Sequence, residues 1–210
     1  MSLFLDSAFI DDAQRAFGSG LVKGITTNPK LVSQTKRPAD IVIMELCDIS
    51  TGIVFHQLTA SAYPDRKSEA IRMAGLRPGK IGLKIPCTYE NLTLAAELVG
   101  MGYIVGITAI FSREQTYLAC QTGAHYILPY VNRSTRLLGD GIGLVRQMRD
   151  VIDADQSATQ IIAASIKTHD EAISTIIAGA HHLTLPLSLI ESMGDHTLST
   201  QAIEEFGSPV

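Results

Sequence analysis

Short apolar runs recur along the chain, separated by longer stretches in which apolar residues return every three or four positions. Eight runs have strand character: Leu3–Ser7, Gly24–Thr27, Ile53–Leu58, Ile81–Pro86, Val105–Phe111, Tyr126–Val131, Gln160–Ser165 and Leu183–Leu187. Between them lie helical patterns. "YENLTLAAELVGMG" puts Leu92, Ala95, Ala96 and Val99 on one stripe before Gly100 and Gly102 break it, and "GIGLVRQMRDVIDAD" repeats the spacing with Leu144, Val145, Met148 and Ile152. "THDEAISTIIAGA" opens with Thr168 followed three residues later by Glu171, the pattern of a capping box, and stops at Gly179.

Strands alternating with helices predict parallel pairing through right-handed crossovers. Eight such units in 210 residues predict an α/β fold of the closed (β/α)8 TIM-barrel type, one domain over 1–210 with about 190–210 as a short C-terminal extension. An open doubly wound sheet is the alternative. No G-x-G-x-x-G follows the first strand and no Walker-type loop occurs, which removes its dinucleotide and P-loop forms.

Strand parity then sorts the polar residues. In "KIGLKIPCTYEN", Ile81, Leu83 and Ile85 share one face, while Lys80, Gly82, Lys84 and Pro86 share the other. The aliphatic trio suits the helix-covered outside, so Lys84 points into the barrel near the strand's C-terminal end, where barrel enzymes place their chemistry. Lys80 belongs to the opposite mouth. Asp6, Gln57, Thr108, Tyr130 and Ser165 fall late in or at the ends of other strands, Lys167 lies two residues beyond Ser165, and Asn28 sits in "GITTNP". Taken singly, these residues have ordinary structural roles: a helix cap for Asp6, although Ser7 and Asp11 are better placed, a β-branched strand former for Thr108, a half-buried aromatic for Tyr130 and a turn for Asn28. Gathered at one mouth, they make a site.

Composition narrows what that site can serve. A formal charge of -4 with no dense Lys/Arg run argues against a nucleic-acid partner. "MSLFLDSAF" lacks the cationic start and apolar core of a signal peptide, and no apolar stretch approaches the roughly 18 residues of a membrane span. Cys47, Cys87 and Cys120 are odd in number and set in apolar surroundings, which predicts reduced thiols and a cytoplasmic location. His181 and His182 are adjacent and point to opposite strand faces. His56 and His125 have no carboxylate or histidine at ligand spacing, so no metal and no cofactor is expected.

A lysine withdrawn from water favours its neutral form, and a neutral amine can attack a carbonyl to form a Schiff base. Asp6 supplies an acid/base group, and Gln57, Thr108 and Tyr130 supply amide and hydroxyl groups to hold a water. Arg133, Ser165 and Lys167 offer donors for a phosphate.

"LFLDSA", "GITTNP", "LKIP", "GITAIFS", "YILPYVNR", "IIAASIKT" and "LTLPLSLI", in that order from Leu3 to about Ile190, resemble the short-chain transaldolase and fructose-6-phosphate aldolase family. The resemblance implies a metal-free class I aldol mechanism, with Lys84 as the Schiff-base lysine and Asp6 as the strand-one aspartate. It also implies Asn28 as a substrate contact and Arg133, Ser165 and Lys167 around the phosphate. Transaldolases of the family usually carry Glu and Phe where this chain has Gln57 and Tyr130, so the resemblance is nearer to the aldolase branch, which cleaves a ketose phosphate into dihydroxyacetone and an aldehyde phosphate. The alternatives are a transaldolase of the pentose phosphate pathway, which passes the three-carbon unit to an acceptor sugar phosphate, and a barrel that binds sugar phosphate without turnover. A homo-oligomer, pentamer or decamer, is also implied, although "TQAIEEFGSPV" is shorter than the C-terminal helix that family members pack on a neighbouring subunit.

Overall fold

Each of the eight apolar runs forms a strand in the computed structural model, which describes residues 1–207. The strands are β1 (Ser2–Asp6), β2 (Val22–Thr26), β3 (Val54–Gln57), β4 (Ile81–Pro86), β5 (Val105–Ile110), β6 (Tyr126–Pro129), β7 (Gln160–Ala163) and β8 (His182–Leu185). All pair in parallel in sequence order, and β1 pairs with β8 to close the barrel. The helices between them are α1 (Ile10–Gly18), α2 (Pro29–Gln34), α3 (Ala39–Ile49), α4 (Tyr63–Leu76), α5 (Tyr89–Gly100), α6 (Arg113–Gln121), α7 (Val131–Leu138), α8 (Gly141–Ala154) and α9 (His169–Ile177). After β8 come α10 (Leu187–Ser192) and α11 (Thr197–Gly207). The single-domain (β/α)8 barrel is thus the observed fold. The extension expected over about 190–210 is the end of α10 together with α11, and its last three residues lie outside the described residues.

Cap chemistry sets several helix starts. Asn28, Thr88, Ser112, Asp140 and Thr168 each accept from a backbone N–H three residues on. The capping box at Thr168 is only half made: Glu171 turns its carboxylate to the Lys167 N–H and the Asn132 amide instead of the cap residue's own N–H. At α1 the cap is Phe9, without a side-chain bond, and Ser7 instead donates to Asp12 at 2.6 Å, so neither Ser7 nor Asp11 caps the helix. The stripe predicted for α8 is buried as expected. On α5 the buried face is Asn91, Leu92, Leu94, Ala95 and Leu98, while Ala96 is exposed: the helix is rotated so that its leucines, which bury more apolar area, face the sheet.

Two apolar layers hold the barrel. The larger lies between strands and helices and takes Ile81, Leu83 and Ile85 from β4. A smaller cluster of Phe4, Phe55, Leu128 and Ile162 fills the barrel interior. Room for the phenyl rings comes from glycine: a Cβ on Gly82 would lie 2.7 Å from Phe55 Cδ1. Below this layer His182 stacks edge-on to Phe4 at 5.7 Å and bonds Gln160 at 2.8 Å, and burial pushes its pKa down to about 4. His181 serves a separate partner, accepting from the Ile161 N–H at 2.9 Å. Cys47 and Cys120 are buried, Cys87 is half-buried, and all three are free thiols. Among the described residues no helix is long and apolar enough to cross a membrane.

Candidate active site

Interior-facing positions on each strand share one parity, so the side chains above the phenyl layer converge on the C-terminal mouth. A cavity of about 450 Å³ opens there. Its wall includes Asp6, Asn28, Gln57, Lys84, Tyr130, Arg133, Ser165 and Lys167, eight of the nine residues singled out from sequence.

Lys84 stands at its base, only 3% exposed. β4 carries it level with Gln57 on β3 and Gly106 on β5, and its Nζ donates to the Thr27 carbonyl at 2.7 Å. Burial holds its pKa down to about 8, against the attraction of Asp6. Lys80 precedes β4 and takes no part in the cavity.

Asp6 shifts the other way: burial raises its pKa, while Lys84, the Thr26 hydroxyl and Lys167 oppose that rise. Thr26 Oγ1 donates to Asp6 Oδ1 at 3.0 Å and lies 2.6 Å from Thr184 Oγ1, tying the ends of β1, β2 and β8 together. Neither threonine stood out in the sequence, because a β-branched residue in a strand is ordinary and only barrel closure brings them to Asp6. Gln57 Oε1 is buried without a hydrogen-bond partner among the described residues, and the side chain lines the cavity.

Thr108 is the residue the structure sets apart. It is fully buried, and its hydroxyl donates to Leu128 O at 3.4 Å behind the cavity wall. The next residue, Ala109, has φ +54 at a bulge in β5, so the chain changes course there. Tyr130 lies one residue past β6 as the cap residue of α7, with its ring under the Arg133 guanidinium at 4.8 Å and edge-on to Phe111 at 6.1 Å. Ser165 lies two residues beyond β7 at φ +60, a left-handed conformation that costs a residue with a Cβ about 1–3 kcal/mol and tends to collect at functional sites. After Arg133 the chain completes α7 and turns at Gly139, φ +92, and Asp140 into α8.

Asn28 caps α2 through the Leu31 N–H at 3.1 Å, and its side chain also lines the cavity. His56, expected to lack a carboxylate, meets Glu69 on α4 at 3.0 Å. Glu69 also accepts from the Thr59 and Ala60 N–H groups, and these bonds hold its pKa down to about 2 despite burial. The pair fixes the turn that follows Gln57. Lys30 and Gln34 on α2 also line the mouth and went unremarked in the sequence, because a lysine in a short polar helix carries no signal of its own.

The site therefore combines a buried amine of lowered pKa, a carboxyl of raised pKa, an unfilled amide acceptor and cations at the rim. Such a set can form an imine, move a proton and hold an anion.

In comparison with known proteins, residues 3–208 match the family described as Transaldolase/Fructose-6-phosphate aldolase. The chain is 34% identical over 206 residues to a probable transaldolase of Desulforamulus reducens, covering 98% of this chain and 95% of that protein. It is 32% identical over 215 residues to probable transaldolase 2 of Bacillus anthracis, with 99% and 96% covered. A probable transaldolase of Paracoccus denitrificans matches at 32% over 208 residues, with 99% and 95% covered.

Proposed function

The chain belongs to the transaldolase/fructose-6-phosphate aldolase family, and on that premise we propose that it is a Schiff-base aldolase cleaving a ketose phosphate into dihydroxyacetone and an aldehyde phosphate. The observation that carries this reading is Lys84, buried at the base of the mouth cavity with a pKa of about 8.

The neutral amine of Lys84 attacks the ketone carbon, and loss of water from the carbinolamine leaves an iminium. Asp6, whose pKa is raised by burial, takes the proton of the hydroxyl on the carbon beyond the scissile bond. That C–C bond then breaks, its electrons pass into the iminium to give an enamine, and the aldehyde phosphate is released. Protonation of the enamine and attack by water return the amine and free dihydroxyacetone. Arg133, Ser165 and Lys167 bind the phosphate, while Asn28 contacts the sugar. Tyr130 and Gln57 hold the water for proton transfer and hydrolysis, while Thr108, bonded to the Leu128 carbonyl, packs behind them. No step requires a metal or a cofactor.

Gln57 and Tyr130 favour hydrolytic release over transfer. An amide with a free Oε1 and a phenol hydroxyl can fix a water beside the imine. A transaldolase reading keeps the same lysine and differs only in what meets the enamine. Leu198, Ile203 and Phe206, left exposed on α11, support the expected homo-oligomer.

The test is a coupled assay on fructose 6-phosphate. Release of free dihydroxyacetone without an acceptor is expected, and turnover only when erythrose 4-phosphate is supplied would overturn the aldolase reading. Borohydride with dihydroxyacetone should leave an adduct on the Lys84 peptide, and an unmodified peptide would overturn the imine itself.

A further inference from the structure

We propose that Lys30 determines specificity at this site, completing with Arg133 and Lys167 a cationic arc that selects substrates carrying one terminal phosphate. The proposal rests on the reading of the substrate as a sugar phosphate and adds a residue that reading does not use.

Lys30 stands in the first turn of α2, four residues before Gln34, so the two share one helix face, and both line the cavity. The Lys30 ammonium has no hydrogen-bond or ion-pair partner among the described residues, and neither does that of Lys167. Arg133 meets only the face of Tyr130. Elsewhere Arg15, Arg37, Lys67 and Arg149 each hold a carboxylate, while Lys36, Arg72, Arg136 and Arg146 stand without a partner among the described residues, so what sets Lys30, Arg133 and Lys167 apart is that all three line one cavity.

Position around the mouth adds to this. Arg133 follows β6, Lys167 follows β7 and Lys30 follows β2, while β8 contributes no side chain to the cavity wall. Between Lys167 and Lys30 the lining consists of Asp6, Thr26, Asn28 and Pro29, all shorter than the two lysines, with Asp6 and Thr26 bonded to each other. Beyond the Lys84–Asp6 pair at the base, the lining carries three cations, Lys30, Arg133 and Lys167, and no further carboxylate. That concentration of positive charge, in a chain whose net formal charge is -4, suits a phosphate dianion. A neutral sugar would leave those charges uncompensated.

The test compares Lys30→Ala, Lys30→Glu and Lys30→Arg in aldol addition of dihydroxyacetone to glyceraldehyde 3-phosphate and to glyceraldehyde, alongside calorimetric titration with inorganic phosphate. Lys30 is exposed, so substitution leaves the core untouched. The ratio of kcat/KM for the phosphorylated aldehyde to that for the neutral one is expected to fall about fivefold in Lys30→Ala and about tenfold or more in Lys30→Glu, through KM, as for a partly solvated ion pair. Lys30→Arg should recover most of it, and about 0.5 M salt should shrink the differences. Phosphate affinity should fall in the same order. An unchanged ratio together with unchanged phosphate affinity in Lys30→Glu would overturn the proposal. Weakened phosphate binding in a protein that forms no imine would uphold Lys30 and sink the Schiff-base reading, and an adduct at Lys84 with Lys30 inert would do the reverse.

Discussion

The rate of imine formation at Lys84 should follow the titration of a buried amine. With a pKa of about 8, about 9% of Lys84 is neutral at pH 7 and about 91% at pH 9. The same lysine at its ordinary value of 10.5 would be about 0.03% neutral at pH 7 and about 3% at pH 9. The two cases therefore predict different steepness over the same interval, about tenfold against about a hundredfold. Initial rates of trapping with dihydroxyacetone and cyanoborohydride, followed by mass of the intact protein, measure this directly. Asp6→Asn sharpens the test. Its carboxylate is the only cause that raises the Lys84 pKa, so the variant should carry the midpoint to lower pH and increase trapping at pH 7, while losing aldol cleavage. A hundredfold rise between pH 7 and 9, or a midpoint that moves upward in Asp6→Asn, would refute the account of Lys84 as an amine governed by burial and one carboxylate.

Two further outcomes concern the scaffold. Gly82→Ala should destabilise by about 1–3 kcal/mol, because the new methyl meets the Phe55 ring inside a closed barrel; a thermal melt that rises instead, as glycine replacement in an open strand would give, contradicts the packing described. Glu69 has a folded pKa of about 2 against 4.5 unfolded, so its contribution is fully present above pH 4.5 and is lost as pH falls toward 2. Glu69→Gln should cost about 2 kcal/mol at pH 7, with the gap from the parent closing below pH 4.5 in urea titrations, and a gap independent of pH would show that charge is not its cause.

Much of this was legible in sequence because a barrel repeats one simple rule. Strand parity sent Lys84 inward and its aliphatic neighbours outward without any knowledge of the closed sheet, and each strand lies close to its predicted run. What parity cannot express is adjacency across the closure. Thr184 and Thr26 are 158 residues apart and lie 2.6 Å from each other only because β8 returns to β1 and β1 pairs with β2. Nor does parity reach the loops, where Tyr130 and Ser165 lie past their strands and Ala109 turns at a bulge. On α5 the small residue Ala96 was read as part of the buried stripe, although alanine is at home on either face and Leu94 and Leu98 decide the rotation. The His56–Glu69 pair escaped because it joins the outer face of a strand to a helix, at a separation no ligand motif uses.

Phe4, Phe55, Leu128 and Ile162 fill the barrel interior beneath Lys84, and the cavity opens at the C-terminal mouth, its doorway. If the proposed reaction holds, the aldehyde phosphate at the rim leaves first and the three-carbon fragment on Lys84 leaves last. In steady-state kinetics that order would make dihydroxyacetone a competitive inhibitor against the ketose phosphate and the aldehyde phosphate a noncompetitive one. In between, the covalent intermediate waits below an emptied vestibule that either a water or a second aldehyde can enter. Lyase and transferase chemistry thus divide at that doorway, over which visitor arrives first.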